Sequence, residues 1–163
     1  MDDRIDVASL GWPAGLVGEL DHRRLKAPSV KLRSARAGEH GDVTYCVDLR
    51  IRLPNADEYL TATELHSVEH FLLEGFQRLL PEHFVSVGLM GCQTGFYLGF
   101  VNEGRSEELC ACLVRILEEM QVATAVPYAN IEQCGHWRNH SLDDAQRVAR
   151  EILARREHWL DAA

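Results

Sequence analysis

No stretch of the chain stays apolar over the roughly 20 residues that a membrane-spanning helix needs. The start, Met1-Asp2-Asp3-Arg4, has none of the apolar core of a secretory signal. Both absences argue for a cytoplasmic protein with no membrane partner. Positive charge is also short. Seventeen lysines and arginines against 25 aspartates and glutamates leave a formal net charge of -8, so no basic surface is on offer to neutralise a nucleic-acid backbone. A disulfide framework is missing as well, because five cysteines are an odd number and irregularly spaced. They are free thiols, core fillers or ligands. Nothing repeats, and no low-complexity tract or linker divides the chain. Residues 1–163 are therefore expected to form one domain. Residues 1–18, with Gly11, Trp12, Pro13 and Gly15, form an irregular arm to it.

What is present is a chain of alternating strand and helix signals. A basic patch (Arg23, Arg24, Lys26, Lys31, Arg33) interrupted by Pro28 reads as a solvated edge. From Val43 to Leu53 every second residue is apolar (Val43, Tyr45, Val47, Leu49, Ile51, Leu53), the period of a half-buried strand, with Arg50 and Arg52 on its other face. A helix over about 61–80, capped by Thr61 or Thr63 and stopped by Pro81, carries Leu65, Val68, Leu72, Phe76 and Leu79 as its apolar stripe. Two further strands run over about 84–90 and 96–101. The Gly91-Cys92-Gln93-Thr94-Gly95 turn joins them, its glycines allowing unusual backbone angles. A helix follows over about 106–121, with Cys110 and Cys112 as packing residues. A short strand over about 122–126 and a last helix over about 142–160 capped by Ser141 complete the pattern.

The chemistry centres on Leu65-His66-Ser67-Val68-Glu69-His70. On a helix His66 and His70 lie one turn apart and point the same way, with Glu69 beside them. The three centre roughly 110° from the apolar stripe, so this face borders the core. Two imidazoles there can share one metal ion, and a carboxylate can move a proton. Two solvated histidines are the plain alternative. His-x-x-Glu-His is also the signature of inverted-motif zinc peptidases, a distant reading that leaves the Cys92 turn unused. A catalytic metal wants a third protein ligand and an open position. Cys134, beside Gly135 and without a packing role, is the best donor. Such a set suits zinc or ferrous iron alike. A closed structural or metal-sensing site would add Cys92 or His140 as a fourth ligand.

Five segments together resemble the S-ribosylhomocysteine lyase (LuxS) family: Glu19-Leu20-Asp21-His22, Asp48-Leu49-Arg50 with Pro54-Asn55, His66-x-x-Glu69-His70, Met90-Gly91-Cys92-Gln93-Thr94-Gly95-Phe96-Tyr97, and Gln133-Cys134-Gly135 with His140. The resemblance implies an α+β fold, a mainly antiparallel sheet packed against a few helices, in a homodimer with its sites at the interface. It implies one divalent metal per subunit, natively Fe(2+), with Zn(2+) the other option, held by His66, His70 and Cys134. The substrate implied is a sugar thioether with an open ribose chain. Its carbonyl moves from C1 to C2 to C3 before the thiol leaves, giving homocysteine and the diketone precursor of autoinducer-2.

In this scheme Cys92 serves the early proton transfers and Glu69 the later ones and the elimination. Arg50 is the cation near Cys92, and His22 approaches from the partner subunit. Gly91, Gly135, Ser86 and Gln77 contact the substrate. The chain departs from the family at the amino-acid end of that substrate. Val17, Gln77, Ser86 and Gly88 stand where the family carries a serine, an arginine, an aspartate and a serine. A divergent enzyme using the same chemistry on another pentose- or nucleoside-derived substrate is the alternative reading.

Overall fold

Alternation in the central strand sets the architecture. Strand β2 (Val43–Arg50) turns Tyr45, Val47 and Leu49 into the core. It pairs on both sides, with β1 (Ser29–Ala37) and with β4 (Gly95–Val101). Strand β3 (Phe84–Leu89) pairs with β4, giving a fully antiparallel sheet of order β1-β2-β4-β3. In this computed structural model, which describes residues 5–163, three helices complete the α+β fold: α1 (Ala62–Leu79), α2 (Ser106–Val122) and α3 (Leu142–Leu153). Residues 1–4 of the expected arm lie outside the described residues. No described helix is long and apolar enough to cross a membrane.

Helix α1 packs on α2, α3 and β3. Its stripe residues Leu65, Val68, Leu72 and Phe76 are buried, and Phe76 meets the Phe100 ring edge-on at 5.2 Å. The start of the helix is fixed by a reciprocal cap. Thr61 Oγ1 accepts from the Glu64 backbone N–H at 3.2 Å, and the Glu64 carboxylate accepts from Thr61 N–H at 2.6 Å. The cap fixes where α1 begins, and the buried stripe fixes its rotation and hence the direction in which His66 and His70 face.

The other side of the sheet is polar. Lys31, Asp48 and Tyr97 stand opposite one another across β1, β2 and β4. The segment read as a solvated basic edge is thus partly strand β1, with Lys31 only 5% exposed. Lys31 Nζ donates to the Gly18 carbonyl at 2.7 Å and lies 3.7 Å from Asp48 Oδ2. Three other expectations are corrected. The strand containing Arg50 ends there, leaving Leu53 exposed and Arg52 paired with Glu151 at 2.7 Å. Residues 122–126 form no strand, and Val122 closes α2 instead. The last helix stops at Leu153, after which the chain turns back so that the Trp159 carbonyl accepts from Val30 N–H at 2.8 Å and the Ala162 carbonyl from Lys26 N–H at 2.9 Å. The tail thereby covers the outer end of β1, an edge otherwise open to unwanted pairing.

Candidate metal centre

The two histidines of α1 are oriented by backbone carbonyls. His66 Nδ1 lies 2.9 Å from the Asn139 carbonyl and His70 Nδ1 2.7 Å from the Pro127 carbonyl. A carbonyl only accepts, so each Nδ1 carries the proton and each Nε2 keeps its lone pair. This second contact is the usual way a metal-binding histidine is fixed. Cys134 comes from the irregular segment between α2 and α3. Asn130 shapes that segment: its side-chain oxygen accepts from the N–H groups of Glu132 and Gln133 at 3.0 and 3.1 Å, and its carbonyl accepts from Cys134 N–H at 3.0 Å. Cys134 Sγ then sits 3.3 Å from His66 Nε2.

His140 is the fourth member. Its ring stacks on His66 at 4.0 Å, its Nε2 lies 3.6 Å from Cys134 Sγ, and its Nδ1 lies 3.3 Å from Ser67 Oγ. The donor atoms of His66, His70, Cys134 and His140 all lie within 4.8 Å of one another, and the cluster can hold a metal ion. The fit is chemical as well as spatial. A tetrahedral ion with bonds of about 2.3 Å to sulfur and about 2.05 Å to nitrogen places those donors roughly 3.6 Å apart. Burial, together with the neighbouring His66, His70 and His136, pushes His140 down to about 4. A neutral imidazole therefore stands beside the donors at neutral pH. The sequence offers His140 as one option for closing a structural site and as part of the Gln133-Cys134-Gly135 segment of the family resemblance.

Cys92 lies elsewhere. The Met90-to-Gln93 turn is a wall between two cavities. One, of about 450 Å³, is lined by His66, Asn139, Ala62, Leu65, Leu89, Met90, Gly91 and Gln93. The other, of about 250 Å³, is lined by Cys92, Thr94, His22, Pro54, Asn55 and Tyr59. His22 and Cys92 of one chain thus line the same cavity. The left-handed residue of the turn is Gln93 (φ 60), and neither Gly91 nor Gly95 takes a positive φ. Gly95 is required for another reason. A Cβ there would sit 2.1 Å from the Leu49 carbonyl oxygen, so a side chain would force β2 and β4 apart where Arg50 is held.

Arg50 does stand near Cys92, with Nη1 3.8 Å from Sγ and 2.6 Å from Thr94 Oγ1. Its Nη2 donates to Asp48 Oδ2 at 2.7 Å. Burial pushes the Cys92 thiol up. Hydrogen bonds with the side chain and backbone of Thr94 and the charge of Arg50 outweigh it, and hold the thiol below its ordinary value. Glu69 is half-buried, and among the described residues its carboxylate has no hydrogen bond or ion pair. Gly135 is exposed next to Cys134. Gln77 on α1 and Ser86 on β3 are also exposed and line neither cavity within one chain.

A cluster able to hold a metal ion and, in a separate cavity, a lowered thiol stand on this α+β scaffold, and comparison with known proteins gives the family. The family model described as S-ribosylhomocysteinase (LuxS) matches residues 18–163. The S-ribosylhomocysteine lyase of Dichelobacter nodosus is 42% identical over 140 residues, covering 86% of this chain and 90% of its own. The enzyme of that name from Listeria monocytogenes serovar 1/2a is 40% identical over 140 residues (86% and 89%). That from Halobacillus halophilus is 39% identical over 142 residues (87% and 92%). On both the family match over residues 18–163 and these relatives, the chain belongs to the S-ribosylhomocysteinase (LuxS) family.

Proposed function

We propose that the protein is a metal-dependent carbon-sulfur lyase that cleaves S-ribosylhomocysteine to homocysteine and 4,5-dihydroxypentane-2,3-dione. The observation that carries this reading is the pairing of a His66, His70, Cys134 donor set with a thiol, Cys92, held below its ordinary pKa. A bound divalent metal supplies Lewis acidity, stabilising the negative charge that develops on sugar oxygens when a neighbouring C–H loses its proton. Fe(2+) is the metal of this reading.

The chain's own residues move the protons. Cys92, as thiolate, takes the proton from the carbon beside the carbonyl and returns it to the carbon that held the carbonyl, while the hydroxyl proton passes from the neighbouring oxygen to the former carbonyl oxygen. One such exchange moves the carbonyl from C1 to C2, and a second from C2 to C3. Glu69 then removes the C4 proton, the C5–S bond breaks, and homocysteine departs as its thiolate. Arg50 keeps Cys92 ionised, and His22, Gly91 and Gly135 line the sugar's path, with Ser86 and Gln77 further along it.

The protein acts as a homodimer with its sites at the interface. Supporting this are the exposed Val85 and Leu89 on edge strand β3, and the separation of the His66 and Cys92 cavities within one chain. The cytoplasm is the compartment of this reading, in keeping with five unpaired cysteines.

His140 serves as an outer support for Cys134. Ser67 Oγ accepts from Ser141 N–H at 2.9 Å, so its hydroxyl hydrogen is free for His140 Nδ1. That leaves His140 Nε2–H to donate to the Cys134 sulfur. His140→Ala is therefore expected to keep one metal per chain at an affinity lowered by about 10–100-fold. Cys134→Ala is expected to lose stoichiometric metal. Competition with a chromophoric chelator measures both.

The reaction is tested by mixing iron-loaded protein, prepared without oxygen, with S-ribosylhomocysteine and a thiol reagent. Homocysteine should appear on repeated turnover, and its absence would sink the proposal. The neutral residues Val17, Gln77, Ser86 and Gly88 favour a second reading, in which the sugar chemistry is kept and the amino-acid end differs, since a zwitterion is costly to hold without charged partners. An S-ribosyl thioether without amino and carboxylate groups separates the two. Faster turnover of that compound supports the second reading, and slower turnover the first.

A further inference from the structure

Thr94 is a buried hydroxyl between a buried guanidinium and the Cys92 sulfur. At 1% exposed it has no access to bulk water, so its hydrogen bonds must be made within the protein. Arg50 can only donate, and its Nη1 lies 2.6 Å from Thr94 Oγ1. The hydroxyl oxygen therefore accepts from Arg50, and its single hydrogen is left for another acceptor. Two sulfurs are in reach: Cys92 Sγ at 3.0 Å and the Met90 thioether at 3.8 Å. The nearer sulfur is also the better acceptor once ionised, because a hydrogen bond to a charged group is roughly twice as strong as a neutral one.

The sulfur of Cys92 thus faces two donors, the Thr94 hydroxyl and, at 3.8 Å, Arg50 Nη1. Polarisation runs along the series, since the Arg50 charge strengthens the hydroxyl it bonds to as a donor. Behind Arg50 stand Asp48 and then Lys31 from the sheet. His22 and Tyr59 face the thiol from the loops that line its cavity. Of these groups only Thr94 makes a contact as short as 3.0 Å with the sulfur.

We propose that Thr94 is a positioning residue for the proton carrier, whose hydroxyl relays the Arg50 charge to Cys92 and holds the sulfur as a thiolate ready to accept a proton. The lowered thiol of Cys92, to which Thr94 contributes more than Arg50, agrees with this assignment. The inference rests on Cys92 being the proton carrier of the proposed reaction.

The test is the pH dependence of iodoacetamide alkylation at Cys92 in full-length, metal-loaded protein, read from the mass of the Cys92 peptide. It compares the parent with Thr94→Val, which keeps the shape without the hydroxyl, and with Thr94→Ser, which keeps the hydroxyl. The parent's midpoint should lie below the ordinary thiol value of about 8.5. Thr94→Val should raise it by about one unit, a roughly tenfold loss of thiolate below the midpoint, and Thr94→Ser should bring it back. A merely structural role would not follow the hydroxyl in this way. Circular dichroism checks folding, and Thr94→Ala replaces Thr94→Val if valine prevents it. A midpoint that does not move when the hydroxyl is removed, or that serine does not restore, overturns the inference whatever the enzyme does with substrate. Failure of the parent to turn over S-ribosylhomocysteine, with midpoints that do move, overturns the proposed reaction and leaves the role of Thr94 standing.

Discussion

Cys92→Ala is expected to retain one metal per chain and to lower kcat on S-ribosylhomocysteine by about 10²–10⁴-fold, the usual worth of a positioned acid/base group. Retention follows from geometry. The four clustered donors are His66, His70, Cys134 and His140, and Cys92 opens instead into the cavity that contains His22. Loss of turnover follows from chemistry, because alanine has no proton to exchange with the sugar carbons. KM should change little, since the thiol works on the reacting C–H and not on the substrate as a whole. Cys92→Ser should stay close to the alanine variant, because the hydroxyl that replaces the thiol does not ionise in this range. Metal analysis and single-turnover thiol release on the same samples make the measurement. Loss of metal from Cys92→Ala would point instead to a closed structural site.

Asp48→Ala should cost about 3–5 kcal/mol of folding stability, the range for removing one partner of a buried ion pair. Asp48 and Arg50 are each 2% exposed and paired at 2.7 Å, with Lys31 at 3.7 Å on the other side. Without the carboxylate two buried cations face each other. Burial already lowers the Lys31 pKa, with Asp48 opposing that shift, so the variant lets it fall further. An unfolded chain then binds the lysine proton more tightly than the folded one. Stability therefore rises with pH between the lowered value and the ordinary lysine value near 10.5. The deficit of the variant should accordingly shrink in alkaline urea titrations. A deficit below about 1 kcal/mol at neutral pH would contradict this reading of the cluster. The cluster is not optimised for stability, since among the described residues Asp48 Oδ1 and Arg50 Nε are buried without a hydrogen-bond partner. What it supplies is aim, because it directs Arg50 Nη1 at Thr94 and Cys92.

The helix that carries the metal histidines is legible in the sequence because its signals are local. Thr61 caps it, the stripe from Leu65 to Phe76 sets its buried face, and the four-residue spacing of His66 and His70 does the rest. Strand β1 is hidden because its alternation changes phase. Val30 and Leu32 are buried, but a bulge between Leu32 and Ser34 puts the next inward residue at Ala35, and Lys31 and Arg33 give it the composition of an edge. Val122, Thr124 and Val126 alternate with alanines and read as strand, yet the edge of β1 is taken by the chain's own tail. His140 has no periodic signal at all. Its place beside Cys134 depends on an irregular segment held by Asn130, and the sequence offers it only through the family-like segment and as a possible fourth ligand. Thr94 is obscured in the same way, since nothing in Gly-Cys-Gln-Thr-Gly tells that Gln93 takes the left-handed turn and the threonine is buried.

Cleavage of S-ribosylhomocysteine by anaerobically prepared, iron-loaded protein in D₂O, followed by thiol titration and mass spectrometry of the dione, tests the central claim most directly. After the C5–S bond breaks, the former C5 must gain a proton to become a methyl group. Homocysteine released together with a dione carrying solvent deuterium in that methyl is the expected result. Metal-replete protein that releases no more thiol than its Cys92→Ala variant would contradict it.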